Sequence, residues 1–337
     1  MLKRVLLVIT SVITALLLFG LASSVSGQTD SRNPPMASQR FDSDKESLYA
    51  LFSENKEGIS PEQQKRAYLA AKVFLRRYGG DNDNYAKEAN EFLAKFEKKV
   101  SEDEIYAAYA SRNYAKAFEL GRPLLKAGAE NFFVLSVLAE AGYENLLAGN
   151  TTLNDETIDY LRRAIGLLEK GKVTAADPFK NMGLAVGFLN NALGSFLKDK
   201  SPGEAANAFT KAVQTKSSYE KDPLTYYRLG VALLKGPYAQ LSDEYNQKFG
   251  AQQSTAEQLA ALKQINHLGD RAIDAYARAV ALSDPSRSGN AVSLSHFTPE
   301  FRSRVLAQLT ALYKSFHNDS EDGLNELIAG ILTKPLP

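Results

Sequence analysis

The residue types that could carry out chemistry are scattered along this chain. Its three histidines, His267, His296 and His317, fall on different predicted elements without the H-x3-H spacing of a metal site, so we expect surface positions for them. The chain has no cysteine, which excludes disulfide bonds and thiolate metal ligands. It contains no H-E-x-x-H, G-x-S-x-G or phosphate-loop pattern. The sequence therefore predicts no catalytic centre, no metal site and no cofactor.

Asp81, Asp83 and Glu88 are acidic residues that lie close together in the sequence. Their spacing does not match a calcium-binding loop, so we expect a solvated turn. The formal net charge is +1, and no run of basic residues with interleaved aromatics occurs. This excludes the electrostatic pattern of a nucleic-acid-binding protein. The absence of Trp weakens a carbohydrate-binding platform, although the 16 Tyr residues could substitute in part.

The N-terminus has the pattern of an export signal. Lys3-Arg4 precede an uncharged apolar run over residues 5–22, and small residues follow at 25–27. This order predicts a signal peptide over residues 1–27 and a mature chain that begins at Gln28, in the periplasm or secreted. The alternative is an uncleaved inner-membrane anchor, since about 18 apolar residues nearly span a bilayer. Cleavage would leave no stable membrane span.

After this signal the composition changes twice. Residues 28–47 are polar and include Asn33-Pro34-Pro35, so they bury too little apolar surface to offset ordering entropy, and we predict a disordered linker. Residues 48–337 show a helical hydrophobic period and almost no strand pattern, which predicts an all-α domain. Asp177-Pro178 and Asp222-Pro223 are predicted helix starts, because Asp caps free N–H groups and Pro fits the first turn.

We predict about six antiparallel helix pairs in this domain. Helices this short bury only one face, so each pair needs a neighbour, and stacked pairs form an α-solenoid. In chain order the predicted pairs are 62–78 with 83–99, 102–111 with 114–127, 131–148 with 154–170, 180–198 with 203–216, 222–235 with 255–283, and 298–316 with 319–333.

Two of these pairs share a pattern of small and aromatic residues: Leu193-Gly194 with Ala205, Phe209 and Ala212, and Tyr226 and Leu229-Gly230 with Ala272, Tyr276 and Ala279. With these residues the two pairs resemble the tetratricopeptide repeat family. Its pattern places Leu-Gly on the first helix and Ala-x3-aromatic-x2-Ala on the second. The chain as a whole is similar to exported tetratricopeptide proteins of bacterial envelopes, which end in a segment like Lys334-Pro335-Leu336-Pro337 here. The family repeats every 34 residues. Here the step from Ala205 to Ala272 is 67 residues.

The small residues of this pattern predict close helix packing. We expect Gly194 to approach Ala205, and Gly230 to approach Ala272, so that two helix backbones come near each other. Phe209 and the matching Tyr of the next unit would then fill the gap toward the following pair. Replacing Gly230 by a large side chain should therefore destabilise the fold.

The resemblance implies a right-handed superhelix whose concave face binds a protein or peptide partner. The first helix of the best-matching unit would supply Leu224, Tyr227, Val231 and Leu234, whose apolar character suggests a hydrophobic peptide or helix as ligand. The alternative is that these residues pack on an adjacent helix. The predicted function is an exported protein–protein interaction scaffold. The alternative function is an envelope glycan or small-molecule binder, and an enzyme is not expected.

Residues 236–268 are longer than the family pattern requires. Tyr238, Leu241, Tyr245 and Phe249 follow one stripe of an amphipathic helix. Ser254-Thr255-Ala256-Glu257 is a capping-box pattern that opens an unusually long second helix, which Gly269 could bend. One interpretation is an arm that lends Tyr238 and Tyr245 to a partner. The other is local packing of the stripe on the long helix.

Overall fold

We describe the protein from a computed structural model. Every regular element in the described ranges is helical, so the predicted all-α class is confirmed. None of the helices in these ranges combines the length and the apolar character that a membrane crossing requires. The predicted signal over residues 1–27 lies outside the described part. The structure describes residues 36–126, 130–249, 255–284 and 298–336, with side chains from residue 44 onward.

The chain forms two compact units, where the sequence suggested one domain over residues 48–337. The first unit ends at Ser101 and the second extends from Glu102 to Pro337. Phe52 and Phe74 are fully buried in the core of the first unit. The helices that begin in the first unit are α1 (Met36–Lys56), α2 (Pro61–Tyr78) and α3 (Asn84–Ala110), with a short 3-10 turn at Gly79–Asp81.

Helix α1 begins inside the segment that we predicted to be a disordered linker. The prediction is wrong for residues 36–47, which are helical. No Pro or Gly occurs between residues 36 and 57, and Phe52 fixes the helix to the core of the first unit. A helix that is already nucleated extends at low cost through residues that permit it. Packing further along the chain therefore orders a polar stretch.

The break predicted between residues 99 and 102 is also wrong. Helix α3 is continuous over 27 residues and includes both predicted segments. The Ser101 hydroxyl donates to the Glu97 carbonyl oxygen at 2.9 Å, one turn earlier. This internal hydrogen bond lets a serine remain within a helix instead of ending it.

The second unit contains the remaining helices. Leu135, Phe209 and Leu309, spread along its length, are all fully buried in one continuous core. These helices are α4 (Tyr114–Leu125), α5 (Phe132–Leu147), α6 (Asn154–Glu169), α7 (Met182–Leu197), α8 (Pro202–Gln214), α9 (Pro223–Leu233), α10 (Ala239–Phe249), α11 (Ala256–Leu282), α12 (Pro299–Phe316) and α13 (Leu324–Gly330).

One set of alternate helices in this unit lies side by side, and we call it the A series: α5, α7, α9 and α12. The rings of Tyr143 on α5 and Phe188 on α7 have centroids 5.7 Å apart. Ser195 on α7 accepts a hydrogen bond of 3.1 Å from Arg228 on α9. Tyr227 on α9 contacts Phe301 on α12, with ring centroids 5.8 Å apart. Each A-series helix therefore contacts the next one.

The other alternate helices form a second set, the B series: α4, α6, α8 and α11. Arg122 on α4 pairs with Glu156 on α6 at 2.9 Å. Arg162 on α6 pairs with Glu204 on α8 at 2.8 Å. Helix α8 contacts α11 through a 3.4 Å hydrogen bond from Arg271 to the Thr210 hydroxyl. Exposed ion pairs of this kind contribute little stability, but they show which helices are neighbours.

Glycines on the A series accommodate aromatic rings from their own helix pair. A β-carbon at Gly194 would lie 2.7 Å from Phe209 Cε1, and one at Gly230 would lie 2.9 Å from Tyr276 Cε1. The rings therefore occupy the space beside the glycines of their own pair. This differs from our prediction that they would fill the gap toward the next pair. The ring needs this space because real Cβ contacts are not this short. Gly269 on the B-series helix α11 leaves space in the same way for Phe316 of α12, a ring of the following pair, and this close approach is a direct reason for a glycine there.

Of the predicted insertion, residues 236–249 and 256–268 are helical, and the first of these stretches is joined to α9 without a loop. A π-helical turn over Leu234–Tyr238 leads from α9 into α10. A β-carbon at Gly236 in this turn would lie 2.5 Å from the Gly203 backbone nitrogen at the start of α8. The capping box forms one residue later than predicted, between Thr255 and Gln258, and opens α11. At 27 residues, α11 confirms the predicted long second helix.

The two predicted Asp-Pro helix starts have different outcomes. Asp222 caps α9, with its carboxylate accepting from the Thr225 backbone N–H at 3.0 Å. Asp177 does not cap α7, because the helix starts later and Asn181 accepts from the Leu184 N–H at 2.9 Å. Asn is as good a capping residue as Asp, so the position nearest to the apolar run is used.

Candidate ligand-binding surface

The acidic residues picked out in the sequence are engaged by side chains within the first unit. Lys45 Nζ lies 2.5 Å from Asp81 Oδ2 and 2.7 Å from Asp83 Oδ2. Glu88 accepts hydrogen bonds from Lys56 and Tyr49. In the described ranges, no group of three or more His, Asp or Glu residues has a metal-binding arrangement. The acidic group therefore connects α1 to the turn before α3 and to α3 itself.

The four apolar residues predicted on α9 pack against the core of the second unit and are only partly buried. Tyr227 lies between two rings, at 5.9 Å from Tyr276 and 5.8 Å from Phe301. The Arg304 guanidinium lies 5.9 Å from the Tyr227 ring. These contacts agree with the alternative that these residues pack on an adjacent helix. Each of the four residues nevertheless keeps some exposed surface. The four residues are Leu224, Tyr227, Val231 and Leu234.

The two tyrosines predicted on the insertion make local contacts. The Tyr238 ring lies 6.1 Å from Phe316. The Tyr245 ring lies 5.3 Å from Phe249, and its hydroxyl accepts a 2.8 Å hydrogen bond from Gln258. Gln258 is 6% exposed, so this hydrogen bond satisfies a buried amide. These contacts agree with the packing interpretation of the stripe.

A different set of residues brings polar and aromatic groups together, and we call it the Arg228 surface. It consists of side chains from three consecutive A-series helices and from the 3-10 turn that precedes α9. Its members are Glu140 and Tyr143 on α5, Phe188 and Ser195 on α7, Tyr219 in the turn Ser218–Lys221, and Arg228 on α9.

Arg228 is held in place by two neutral hydroxyl groups. Its Nη1 donates to the Tyr143 hydroxyl and to Ser195 Oγ, both at 3.1 Å. Tyr143 and Ser195 are 8% and 6% exposed, so each acceptor is itself fixed by packing. A guanidinium carries five N–H donors in a rigid fork, so these two contacts leave most of its donors for other acceptors.

The start of α9 fixes the direction in which Arg228 projects. The Thr225 hydroxyl lies one turn before Arg228, and it contacts Asn191 Oδ1 on α7 at 3.1 Å. The same hydroxyl bonds the Asp222 carboxylate at 2.5 Å. Thr225 and Asn191 are both buried, and their contact brings α9 against α7. The contacts of Thr225 with Asn191 and Asp222 therefore hold the start of α9, the helix that carries Arg228.

Glu140 is the acidic member of the surface. Burial raises the pKa of its carboxyl to about 6, and the hydrogen bond with Tyr109 partly opposes this shift. The neighbouring charge of Glu144 also raises it. Near neutral pH this carboxyl therefore changes charge more readily than a solvated one.

Aromatic rings surround these charges. The centroids of Phe179 and Phe188 are 5.4 Å apart, and Tyr143 meets Phe188 edge to face. The Tyr219 ring packs on Gly187, where a β-carbon would lie 2.7 Å from Tyr219 Cδ2. Burial raises the pKa of the Tyr219 hydroxyl, and nearby Tyr143 also contributes to this increase. The surface therefore combines partly buried aromatic rings with one positive side chain.

The sequence analysis missed Arg228 although a signal was present. Arg228 follows Tyr227 directly and lies four residues after Leu224, so it belongs to the stripe that was chosen for its apolar residues. A charged residue within an otherwise apolar stripe indicates a specific contact, because buried polar groups need a partner. Tyr143 is 85 residues away along the chain, and no local spacing could have indicated that contact.

Comparison with known proteins adds no assignment: the chain matches no protein-family model, no curated protein and no solved structure.

Proposed function

We propose that this chain is a helical-repeat protein of the tetratricopeptide type that binds a peptide or protein partner across its A-series helices. The observation that carries the proposal is the double stacking in the second unit. A-series helices contact one another, and B-series helices contact one another. Stacked helix pairs of a solenoid make such contacts. In that arrangement one face is built from A-series side chains alone.

The Arg228 surface is the part of this face that best fits a ligand. It combines aromatic rings with a charged group and hydrogen-bonding hydroxyls, which is typical of protein recognition sites. A glycan binder would need an exposed ring beside paired carboxylates. Tyr143 is 8% exposed and its hydroxyl accepts from Arg228, so this ring has little free surface for a sugar. We therefore favour a peptide over a glycan, and binding over catalysis.

Site-specific photocrosslinking in the native cell tests this proposal. A photoreactive phenylalanine analogue would be placed at Phe188 on the A series. Matched controls at Asp159 and Lys211 place the same analogue on exposed B-series positions. We expect discrete crosslinked adducts from the A-series position and none from the controls. Equal adducts at all positions, or no adduct at any, would reject partner binding on this face.

We further propose that the chain acts outside the cytoplasm after removal of residues 1–27. The support is the order of charged start, apolar run and small residues in the sequence. N-terminal sequencing of the protein from native cells should begin at or near Gln28. A membrane-embedded product that starts at Met1 would favour the anchor alternative.

A further inference from the structure

The charge of Arg228 is not balanced by an ion pair within the described part of the chain. Its two acceptors, Tyr143 and Ser195, are both neutral, and both bond the same nitrogen, Nη1. A half-buried guanidinium is normally paired with a carboxylate, because removing a charge from water is costly. Tyr143 and Ser195 therefore orient a cation whose natural partner is absent from the described residues.

The acidic groups that lie near this region are already engaged. The Asp222 carboxylate accepts from the Leu224 and Thr225 backbone N–H groups and from the Thr225 hydroxyl, so it serves the start of α9. The Glu140 carboxyl bonds the Tyr109 hydroxyl. Neither acid neutralises Arg228 by direct contact, so the positive charge remains available to a ligand.

The surroundings of Arg228 favour a peptide over a free inorganic anion. The rings of Phe188 and Phe179 border the same face, and Tyr219 lies over Gly187. Apolar rings contribute nothing to binding a small hydrated anion, whereas they stabilise a peptide whose apolar side chains flank an acidic one. In such a partly desolvated site a charge-assisted bidentate hydrogen bond from Arg is a strong and directional contact.

We propose that Arg228, oriented by Tyr143 and Ser195, binds the acidic side chain of a peptide that lies across α5, α7 and α9. This inference rests on the proposed function and specifies its ligand. The acidic residue would pair with the free edge of the guanidinium, and neighbouring aromatic or aliphatic residues of the peptide would contact Phe188.

Selection from a phage-displayed library of random dodecapeptides on the immobilised full chain tests the inference. We expect the enriched peptides to share an Asp or Glu next to an aromatic or aliphatic residue. A synthetic copy of the most enriched peptide would then be compared with its Asp→Asn or Glu→Gln counterpart by calorimetry. Loss of the carboxylate should weaken binding about tenfold or more. This comparison uses the unaltered protein, so no folding defect can explain the result.

Variants of the protein assign the effect to one residue. Arg228→Gln should weaken the acidic peptide about tenfold and should bind the amide counterpart as the unaltered protein does. The matched control is Arg162→Gln, since Arg162 is an exposed B-series arginine paired with Glu204. Arg162→Gln should leave the affinity unchanged. Arg228→Lys is a second variant that keeps the charge, and it should retain part of the affinity.

The outcomes separate this inference from the proposed function. Enriched peptides without an acidic residue, or an acidic peptide unaffected by both its amide substitution and Arg228→Gln, would overturn the Arg228 inference and leave peptide binding intact. If no peptide is enriched, or inorganic sulfate alone binds, both the proposed function and the inference are rejected.

Discussion

The ring of Tyr276 lies against Gly230 so closely that residue 230 has no room for a side chain. A β-carbon there would be 2.9 Å from Tyr276 Cε1 and 3.0 Å from Cδ1. Gly is a poor helix former, so its presence inside α9 has to be explained by this contact. The equivalent relationship between Gly194 and Phe209 on the preceding pair shows that it recurs.

Gly230→Leu should therefore destabilise the protein by about 1–3 kcal/mol or more, because the new side chain displaces a buried ring. The measurement is the urea unfolding midpoint at constant slope. The matched control is Gly166→Leu in α6, since a β-carbon at Gly166 meets nothing within 4 Å. That change should be neutral or stabilising. A midpoint that Gly230→Leu leaves unmoved would show that the ring does not restrict this position.

A second prediction concerns the C-terminal segment, which is held by a buried arginine. Arg278 Nη2 donates to the carbonyl oxygens of Lys334 at 3.0 Å and Pro335 at 2.7 Å. Its Nε bonds Asp274 at 2.6 Å. Arg278→Met should cost about 3 kcal/mol, because it leaves the half-buried Asp274 carboxylate without its partner. It should also increase hydrogen exchange of residues 331–336.

The control for this prediction follows from the atoms involved. Arg278 bonds main-chain oxygens, so Lys334→Ala should keep these hydrogen bonds and change the exchange of the segment much less than Arg278→Met does, although it removes a positive charge that acts on Asp274. Unaltered exchange in Arg278→Met would show that the tail is fixed by other contacts, such as Leu336 beside Tyr226 and Leu229.

The sequence predicted the elements whose signals are local. The Asp222 cap and the long helix α11 follow from residue order alone, since a cap and an apolar period act within one helix. The helix at residues 36–47 was missed because its order depends on packing by Phe52 outside the polar stretch. Arg228 was missed for a related reason. Its partners Tyr143 and Ser195 lie 85 and 33 residues away, so only the fold brings them together.

A third prediction uses the raised pKa of Glu140. Burial raises this pKa from 4.5 to about 6, so the folded chain binds the proton more tightly than the unfolded chain does. The resulting stabilisation is present below the unfolded value, and it is lost as the pH rises through the folded value. Above that range the ionised carboxylate opposes folding by at most about 2 kcal/mol.

Glu140→Gln removes this titration. The variant should melt at a higher temperature than the unaltered protein at about pH 8, and the two should melt alike at about pH 4. The titratable neighbours of Glu140 are Tyr109, Glu144 and Tyr219. Glu144→Gln is the control, because Glu144 is exposed, and it should show a smaller difference between the two pH values. A melting difference that does not vary with pH would contradict the assignment.

The last prediction decides between the two interpretations of the insertion. The Tyr245 hydroxyl accepts from the Gln258 amide, whose residue is 6% exposed and forms the capping box of α11 with Thr255. If the stripe serves packing, Tyr245→Phe leaves that amide donor without an acceptor, which costs about 1–3 kcal/mol. Urea unfolding should show this loss. Tyr106→Phe, at a 44% exposed ring, should not.

The arm interpretation makes the opposite prediction for the same variant. A tyrosine that serves a partner would leave stability unchanged when its hydroxyl is removed, and it would reduce the crosslinked adducts from the A-series position. Loss of stability with unchanged adducts would assign Tyr245 to the support of α11. Because the hydroxyl is the only group removed, the ring contact with Phe249 is kept, and the two effects can be separated.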